Sequence, residues 1–364
     1  MATPLCWIAG VGTMGPMGRA RVTLQTIADR IGVSRTTVSN AFSRPDQLSD
    51  ELRERVLAAA RELGYAGPDP AARTLRGGTA GAIGVLLTES LAYAFSDPYS
   101  STLLRGLARI TDEQVMSLLM IPVPPGHLQE HAVRRAVVDA FCIYAMPTGH
   151  PVIDIALHRG APVAFIDGPE VADRPFVGVD ERAAARAITE HVLSAGRRRP
   201  AVISYRISDD EVTGEVDDAR LATGTYRSSV ERIEGVIAAT AGAGLPRADL
   251  RIIEVGLNVP ENARRTTVAL LDGDDPPDAI VCLSDRLAAG VVMELMSRRM
   301  EVGDRVAVTG WDDTDLAQRL DLTSVQQPDE EKGRVAGRWL VEGARGPLRR
   351  MLPARVVVRG STGG

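Results

Sequence analysis

One six-residue stretch of the chain is crowded with short polar side chains. They are Arg35, Thr36, Thr37, Ser39 and Asn40. These residue types present hydrogen-bond donors and acceptors of a length that reaches the base edges and phosphate oxygens of a nucleic acid. The apolar residues Val38, Ala41 and Phe42 recur among and after them at helical spacing. The stretch is therefore predicted to be a helix with one buried face and one polar face.

A glycine-rich motif near the start of the chain suggests a different chemistry. Residues 10–15 read GVGTMG and fit the pattern G-x-G-x-x-G, and Asp29 stands at the distance of the acid that would contact a ribose. This pattern binds a dinucleotide only where a strand precedes it and a helix follows it. Pro16 and Gly18 interrupt that helix. We therefore interpret residues 1–21 as a disordered leader or a mis-assigned start, and keep a nucleotide-dependent enzyme as the minor alternative.

The other residues that commonly carry chemistry point to no catalytic site. We find no nucleophile with a base at a suitable spacing and no cluster of metal ligands, so neither enzyme activity nor a metal or other cofactor is expected. Cys6, Cys142 and Cys282 are far apart and odd in number, which is typical of a reducing cytoplasm rather than of a disulfide framework. The longest apolar runs are far shorter than the ~20 residues of a membrane span, so no membrane partner is expected.

Three short helices are predicted to position the polar stretch, in a unit that covers residues 22–66. Thr23 can cap the first helix, Ser34 the second and Ser49 the third, because a Ser or Thr hydroxyl accepts a free N–H group at a helix start. The apolar residues of the first helix recur at i, i+3, i+4 and i+7, and they are Leu24, Ile27, Ala28 and Ile31. Two short helices joined by a turn containing Gly32 form a helix-turn-helix.

Charge separates this unit from the rest of the chain. The whole chain carries a net charge of −5, yet residues 1–80 hold ten arginines and seven acids, a balance of +3 that leaves −8 on the remainder. A basic segment on an acidic protein is suited to meet phosphate, while the remainder has another task.

The stretch 22–40, with the sequence VTLQTIADRIGVSRTTVSN, resembles the DNA-binding head of the lactose-repressor (LacI/GalR) family, and residues 52–65 resemble its third helix. The resemblance implies double-stranded operator DNA as a partner, with Arg35 and Thr36 at the two base-reading positions. The other DNA contacts that it implies are Thr23, Ser34, Thr37, Ser39 and Asn40. The family more often has arginine at the last of these positions, and an asparagine there can pair with adenine or reach a phosphate.

Residues 67–78 are predicted to form a short helix and linker. Asp69 can cap the helix and Gly77 can end it, but a segment this short is not a stable helix alone. The family resemblance implies a hinge helix that forms on DNA, in which Ala72 and Leu75 contact the operator and Leu75 is an apolar wedge in the minor groove. A flexible linker is the alternative.

Residues 79–364 alternate between strand-like and helix-like segments. Such alternation is typical of parallel α/β sheets, and the length exceeds one comfortable core, so an α/β body of two lobes is expected. Ligands of such folds bind where the carboxyl ends of strands meet a crevice. The strand-like runs are 83–87, 117–121, 140–144, 163–166, 201–205, 252–255, 279–283, 306–309 and 355–358.

This part resembles the periplasmic-binding-protein-like effector domain of the same family, which also forms the dimer. Residues 179–181 resemble the entry into the second lobe and 322–327 the strand that returns to the first, and other matches are 227–236, 284–290 and 309–313. The resemblance implies a small-molecule effector, a sugar or related polyol, between the lobes. The implied effector contacts are Asp180, Arg232, Ser284, Asp312 and Gln327. An arginine fork and carboxylates hydrogen-bond well to neighbouring hydroxyls, and Tyr99 and Trp311 are expected to stack on the apolar face of a sugar.

An acidic stretch, residues 209–218, precedes the helix that contains Arg232. Two interpretations stay open. The stretch is either a mobile lip over the cleft, which would disfavour anionic effectors, or a solvated loop.

These features favour a homodimeric transcription factor, expected to be a repressor, that binds a pseudo-palindromic operator in the cytoplasm. A dimer is expected because helix-turn-helix heads usually read two half-sites by two-fold symmetry. No leucine heptad for a tetramer follows Val358. A small-molecule-binding protein with an idle head is the alternative from another class. The identity of the effector, and the sign of its effect on DNA binding, stay open.

Replacing the predicted wedge, Leu75→Ala, is expected to weaken binding to a DNA fragment selected by the wild-type protein by roughly tenfold or more, because apolar contact no longer offsets the cost of opening a base step. Filter-binding titrations with that fragment and with random DNA measure the effect. Weak binding to random DNA should persist, since it depends on phosphate contacts. An unchanged affinity for the selected fragment would show that Leu75 is not the wedge.

Overall fold

A computed structural model describes residues 22–43, 47–65, 79–125, 129–210, 212–344 and 348–363. The chain forms two compact units, Met1–Gly78 and Thr79–Gly364. The leader predicted for residues 1–21 lies outside the described residues. The same holds for the short helix predicted within residues 67–78, including Ala72 and Leu75.

In the first unit, three helices begin next to hydroxyl-bearing residues. They are α1 (Leu24–Ile31), α2 (Arg35–Ser43) and α3 (Asp50–Glu62). The Thr23 hydroxyl accepts the N–H of Thr26 in a capping box. Ser34 Oγ accepts the N–H of Thr37 at 3.0 Å, and Ser49 caps α3. Each hydroxyl satisfies an N–H group that has no partner within the first turn, and the predicted helix-turn-helix is confirmed.

A small apolar core joins these three helices. Its buried members are Ile27, Ala28, Val38, Ala41, Val56, Ala59 and Ala60. Phe42 packs edge-on against Tyr65, with 5.8 Å between ring centres, and adds to this cluster. Because the core takes the apolar face of α2, the side chains of Arg35 and Thr36 stay exposed at the start of that helix.

The second unit alternates strands and helices. The strands are β1 (Ala82–Leu87), β2 (Ser117–Pro122), β3 (Ala140–Tyr144), β4 (Val163–Ile166), β5 (Phe176–Val179), β6 (Pro200–Ser204), β7 (Gly214–Glu215), β8 (Arg251–Glu254), β9 (Ala279–Cys282), β10 (Ala307–Asp312), β11 (Thr323–Gln326), β12 (Arg349–Leu352) and β13 (Arg355–Val357). The helices are α4 (Leu91–Ser96), α5 (Pro98–Glu113), α6 (Glu130–Arg135), α7 (Pro151–His158), α8 (Glu181–Ser194), α9 (Asp218–Ala222), α10 (Arg227–Gly242), α11 (Pro260–Leu271), α12 (Asp285–Ser297), α13 (Asp315–Arg319) and α14 (Asp329–Glu342). Within the described parts of the chain, every helix is too short or too polar to cross a membrane.

Two sheets define two lobes, and the predicted α/β fold with two lobes is confirmed. The sheet of the first lobe has the order β12-β5-β4-β3-β1-β2, and all its pairings are parallel. The sheet of the second lobe has the order β13-β11-β10-β9-β6-β8-β7, with antiparallel pairing at the two edge strands only. Parallel strands are buried on both faces, which is why their runs are almost continuously apolar.

In the described ranges, the chain crosses between the two sheets at three places. It enters the second lobe between β5 and α8 at Asp180, as predicted. The strand expected to return to the first lobe is β11, which belongs to the second sheet instead. The return follows β11 at Gln327 and Pro328 and leads into α14, which packs on the first lobe. The third crossing joins β12 to β13 at Pro353 and Ala354.

Helices α5 and α14 touch backbone to backbone at two glycines. A Cβ atom on Gly106 would lie 2.0 Å from the carbonyl oxygen of Glu330, and one on Gly333 would lie 2.1 Å from that of Leu103. A side chain at either position would force the helices apart. This contact fixes α14 against the first lobe and sets the position of Lys332, the residue before Gly333.

The substitution Gly333→Ala is expected to destabilise the body by about 1–3 kcal/mol, because the added methyl group overpacks the α5–α14 contact. Urea unfolding followed by far-UV circular dichroism measures the change. Gly242→Ala, at the end of α10, is the control, since no atom lies within 4 Å of the added Cβ there. Equal midpoints for the two variants would show that the helices separate without penalty.

Candidate functional site

A cavity of about 920 Å³, part of it open to solvent, lies where the carboxyl ends of strands from both lobes meet. From the first lobe, its wall includes Glu89 after β1, Tyr144 at the end of β3 and Asp167 after β4. From the second lobe, it includes Arg206 after β6 and Asp312 at the end of β10. This is the position at which parallel α/β folds bind their ligands.

Five of the six tyrosines of the chain line this cavity. They are Tyr93, Tyr99, Tyr144, Tyr205 and Tyr226. Burial raises the pKa of each phenol, to about 12 for Tyr205, so all five are neutral hydroxyls at physiological pH. Tyr226 is only 9% exposed. Such a wall suits a ligand with apolar faces and polar edges.

Arg232 lines the cavity, but its guanidinium is already engaged. Nε donates to Glu181 Oε2 at 2.8 Å, and Nη2 donates to Glu181 Oε1 at 3.2 Å. Nη1 donates to the carbonyl of Leu283 at 2.8 Å and to the hydroxyl of Tyr205 at 3.1 Å. A guanidinium has five N–H groups, so one remains for a ligand. The fork predicted to hold two neighbouring hydroxyls is occupied by Glu181 instead.

Three of the predicted effector contacts, Trp311, Asp180 and Gln327, do not line the cavity. Trp311 is 0% exposed and lies beneath Arg232, with 4.2 Å from the guanidinium carbon to the ring centre. The prediction that Trp311 stacks on a sugar is therefore wrong, because its ring face supports the arginine. The Asp180 carboxylate accepts a hydrogen bond from the N–H of Ala183 and is the N-cap of α8.

Three other predicted contacts do meet at the cavity: Tyr99, Ser284 and Asp312. Ser284 Oγ caps α12 and donates to Asn258 Oδ1 at 2.5 Å. Asp312 adopts a left-handed backbone conformation with φ 99°, which turns the chain at the end of β10. Burial raises the pKa of Asp312 well above its usual range.

Lys332 lies directly behind this wall and was not predicted. The residue is 0% exposed, and its Nζ donates to Asp167 Oδ1 at 2.7 Å, to the Tyr99 hydroxyl at 3.0 Å and to Gln327 Oε1 at 2.7 Å. Gln327, predicted to touch the effector, does not line the cavity and donates through Nε2 to Asp312 Oδ1 at 2.6 Å. One signal in the sequence marks this residue, since it is the only lysine among 42 basic residues.

Polar contacts join the two lobes beside the cavity. Arg206 of the second lobe pairs with Glu89 of the first. Burial raises the pKa of Glu89, and the adjacent guanidinium acts against that rise. Arg286 donates to the carbonyl of Ser96 at 3.2 Å, and its guanidinium carbon lies 5.3 Å from the ring centre of Tyr93. These contacts favour the arrangement in which the lobes are closed on the cavity.

The acidic stretch 209–218 is folded onto the second lobe. Its strand β7 pairs with β8, and Asp210 accepts two hydrogen bonds from Arg220 at 2.7 Å each. Asp218 accepts from Arg247 at 3.0 Å. Asp210 and Asp218 are therefore paired with arginines of the second lobe.

On the first unit, the predicted DNA-contacting side chains fall into two groups. Arg35 and Thr36 are exposed at the start of α2. The others cap a helix or are half-buried, and they are Thr23, Ser34, Thr37, Ser39 and Asn40. The geometry therefore leaves Arg35 and Thr36 as the side chains that reach outward from α2, and contact with DNA stays a prediction for the whole set.

Comparisons with known proteins match both units. Residues 23–67 match the family described as bacterial regulatory proteins, lacI family, and residues 189–362 match a periplasmic binding protein-like domain. An HTH-type transcriptional regulator of Mycobacterium tuberculosis is 37% identical over 357 residues, which cover 96% of this chain and 99% of that protein. The crystal structure of a LacI-family regulator from Corynebacterium glutamicum is 32% identical, with a TM-score of 0.73 over 94% of this chain and 100% of that one.

A more distant structure shares the fold. The complex of the transcriptional regulator CelR with cellobiose has a TM-score of 0.66 at 22% identity, over 94% of this chain and 100% of that one. The matches to both units, the identity shared along nearly the whole chain and the agreement in fold lead to one conclusion. The chain belongs to the LacI family of HTH-type transcriptional regulators.

Proposed function

We propose that this regulator is a homodimeric repressor of a pseudo-palindromic operator, and that a neutral sugar or related polyol bound between the lobes changes its affinity for DNA. The observation that carries the proposal is the cavity between the lobes, whose wall combines hydrogen-bond donors and acceptors with tyrosine rings. The effector acts by binding one arrangement of the lobes better than another.

The arrangement of α2 supports sequence-specific DNA binding. Its apolar face is held in the core by Val38 and Ala41, so the helix presents Arg35 and Thr36 in a fixed orientation. An arginine can donate two hydrogen bonds to guanine, and a threonine can contact several bases or a thymine methyl group. A two-fold dimer would place two such helices on two half-sites.

The charges of the cavity support a neutral effector. Each guanidinium in its wall has a carboxylate partner, and the pairs are Arg206 with Glu89, Arg227 with Glu231 and Arg232 with Glu181. An anionic ligand would bring a further negative charge close to these buried carboxylates, which is unfavourable. A phosphate ester is disfavoured for this reason.

The remaining polar groups of the wall suit hydroxyls. Asp97 and Asp312 line the cavity, and neither forms a salt bridge in the described parts of the chain. Helix α10 begins in the wall at Arg227 without a side-chain cap, and Nη1 of that arginine has no acceptor among the residues that the structure describes. A carboxylate needs a donor and a helix start needs an acceptor, and a hydroxyl group supplies both. The cellobiose bound by CelR, which shares the fold, agrees with a ligand of this class.

The substitution Arg35→Ala is expected to lower the affinity for a selected genomic DNA fragment by roughly 1–3 kcal/mol while affecting random DNA much less, because a base contact is lost. Fluorescence anisotropy with both DNAs at several salt concentrations measures the ratio of the two affinities. Arg61→Ala, an exposed arginine of α3, is the control and should leave this ratio unchanged. A ratio that falls equally in both variants would remove Arg35 from base reading.

A panel of neutral monosaccharides, alditols and cyclitols, with their phosphate esters, tests the effector class by thermal shift. Neutral compounds are expected to raise the melting temperature, and the esters are not. Asp312→Asn should weaken binding of the best neutral compound by about tenfold, because an NH2 group replaces one of the two oxygens that can accept a hydroxyl proton. Asp315→Asn, on an exposed position outside the cavity, should not. Stabilisation by the phosphate esters alone would refute the neutral class.

A further inference from the structure

We infer that Lys332 is a positioning residue: its buried ammonium holds the effector-facing groups of the first lobe and ties them to the crossover at Gln327. The inference rests on the proposed function in one respect, namely that an effector occupies the cavity. Its starting point is a contrast in the sequence. Of the 42 lysine and arginine residues in the chain, 41 are arginine. The single lysine is 0% exposed.

The surroundings of the ammonium explain why arginine would not replace it. An ammonium has three donors, and all three are used, on Asp167, Tyr99 and Gln327. The acceptors come from β4, α5 and the crossover, so they converge on one point from three directions. A planar guanidinium is larger and presents its donors in a fork, which does not match a compact site of this kind.

Lys332 acts through other residues, because it does not line the cavity itself. Two of its partners, Asp167 and Tyr99, do line the cavity, and the Tyr99 hydroxyl donates to Asp167. The third partner, Gln327, donates to Asp312 at 2.6 Å, and Asp312 lines the cavity from the second lobe. The lysine therefore stands at the centre of a hydrogen-bonded chain that runs from one wall of the cavity to the other through the crossover.

This connection has a consequence for how an effector is sensed. A ligand that contacts Asp167 and Asp312 contacts both ends of this series of hydrogen bonds. A change in the distance between the two carboxyl groups must therefore move Gln327 or Lys332. Without the ammonium, Asp167 would keep a buried negative charge that faces Asp329, Tyr99 and Tyr144. A carboxyl that has lost its buried cationic partner is no longer held in the same orientation, which changes the hydrogen bonds it offers to a ligand.

The experiment compares the full-length wild type with Lys332→Met, Lys332→Arg and Arg338→Met. Arg338 is exposed on the same helix and supplies the matched control. The probe is the neutral panel compound that raises the wild-type melting temperature most, titrated by calorimetry between pH 6 and 8. Hydrogen exchange of the peptide covering residues 325–331, without any compound, follows the crossover.

Lys332→Met is expected to weaken binding of this compound by about ten- to hundredfold, as for a lost hydrogen bond to a charged group. The affinity of this variant should also depend on pH differently from that of the wild type, and its crossover peptide should exchange faster. Lys332→Arg should not restore the affinity, whereas Arg338→Met should stay within about twofold of the wild type. A purely structural role would not alter the pH profile.

Two results would overturn the inference: wild-type affinity and pH profile in folded Lys332→Met, or unchanged exchange of the crossover peptide. If Lys332→Met does not fold, the double variant Lys332→Met/Asp167→Asn removes both charges, and the exchange of its crossover peptide decides whether Lys332 holds Gln327. If no neutral compound binds the wild type, the proposed effector class fails. The exchange of the crossover peptide then decides by itself whether Lys332 holds Gln327.

Discussion

A buried ammonium beside a crossover between the lobes constrains the rest of the body. A charge that is withdrawn from water requires partners, and Lys332 finds them on β4, on α5 and in the crossover itself. These partners come together only if α14 lies close against α5, which the glycine contact between the two helices permits. The hydrogen bonds of one side chain thus relate the first sheet, the returning helix and the end of β10.

The same rule of pairing shapes the cavity. Three arginines reach its wall and each meets a carboxylate, so the cavity contains many charges but few that are free for a ligand. Five neutral tyrosines occupy much of the remaining surface. A charged wall of this kind is rigid and polar without attracting ions, because the favourable electrostatic interactions are made within the protein. The proposed preference for neutral hydroxyl compounds rests on that internal pairing.

The head meets a different constraint, since it has little apolar surface to bury. Among its described residues, seven buried ones form the core, and four of these are alanines. Helix caps at Thr23, Ser34 and Ser49 therefore matter for the shape of the unit, because they fix where each helix begins. The caps also fix the orientation of α2, and this leaves its first side chains pointing outward.

The sequence by itself determined the local features of this protein. Caps and apolar periodicity located α1, α2 and α3, and apolar runs located most strands of the body, because both signals are properties of neighbouring residues. The strands β5, β7 and β12 were missed, since they are short and β12 begins with two exposed arginines. Resemblance to a family indicated Arg232, Ser284 and Asp312, and the stacking chemistry of an aromatic ring indicated Tyr99; all four line the cavity.

Only the tertiary structure decided which polar groups remain free to bind a ligand. Trp311 and Arg232 were both expected to face a ligand, but the ring is covered by the guanidinium, and the guanidinium is held by Glu181. Lys332 gained its role from Asp167, which lies 165 residues away in the chain. The residue type, and therefore the sequence, determines the number of hydrogen-bond donors on a side chain. How many of them remain free depends on partners that only folding brings together.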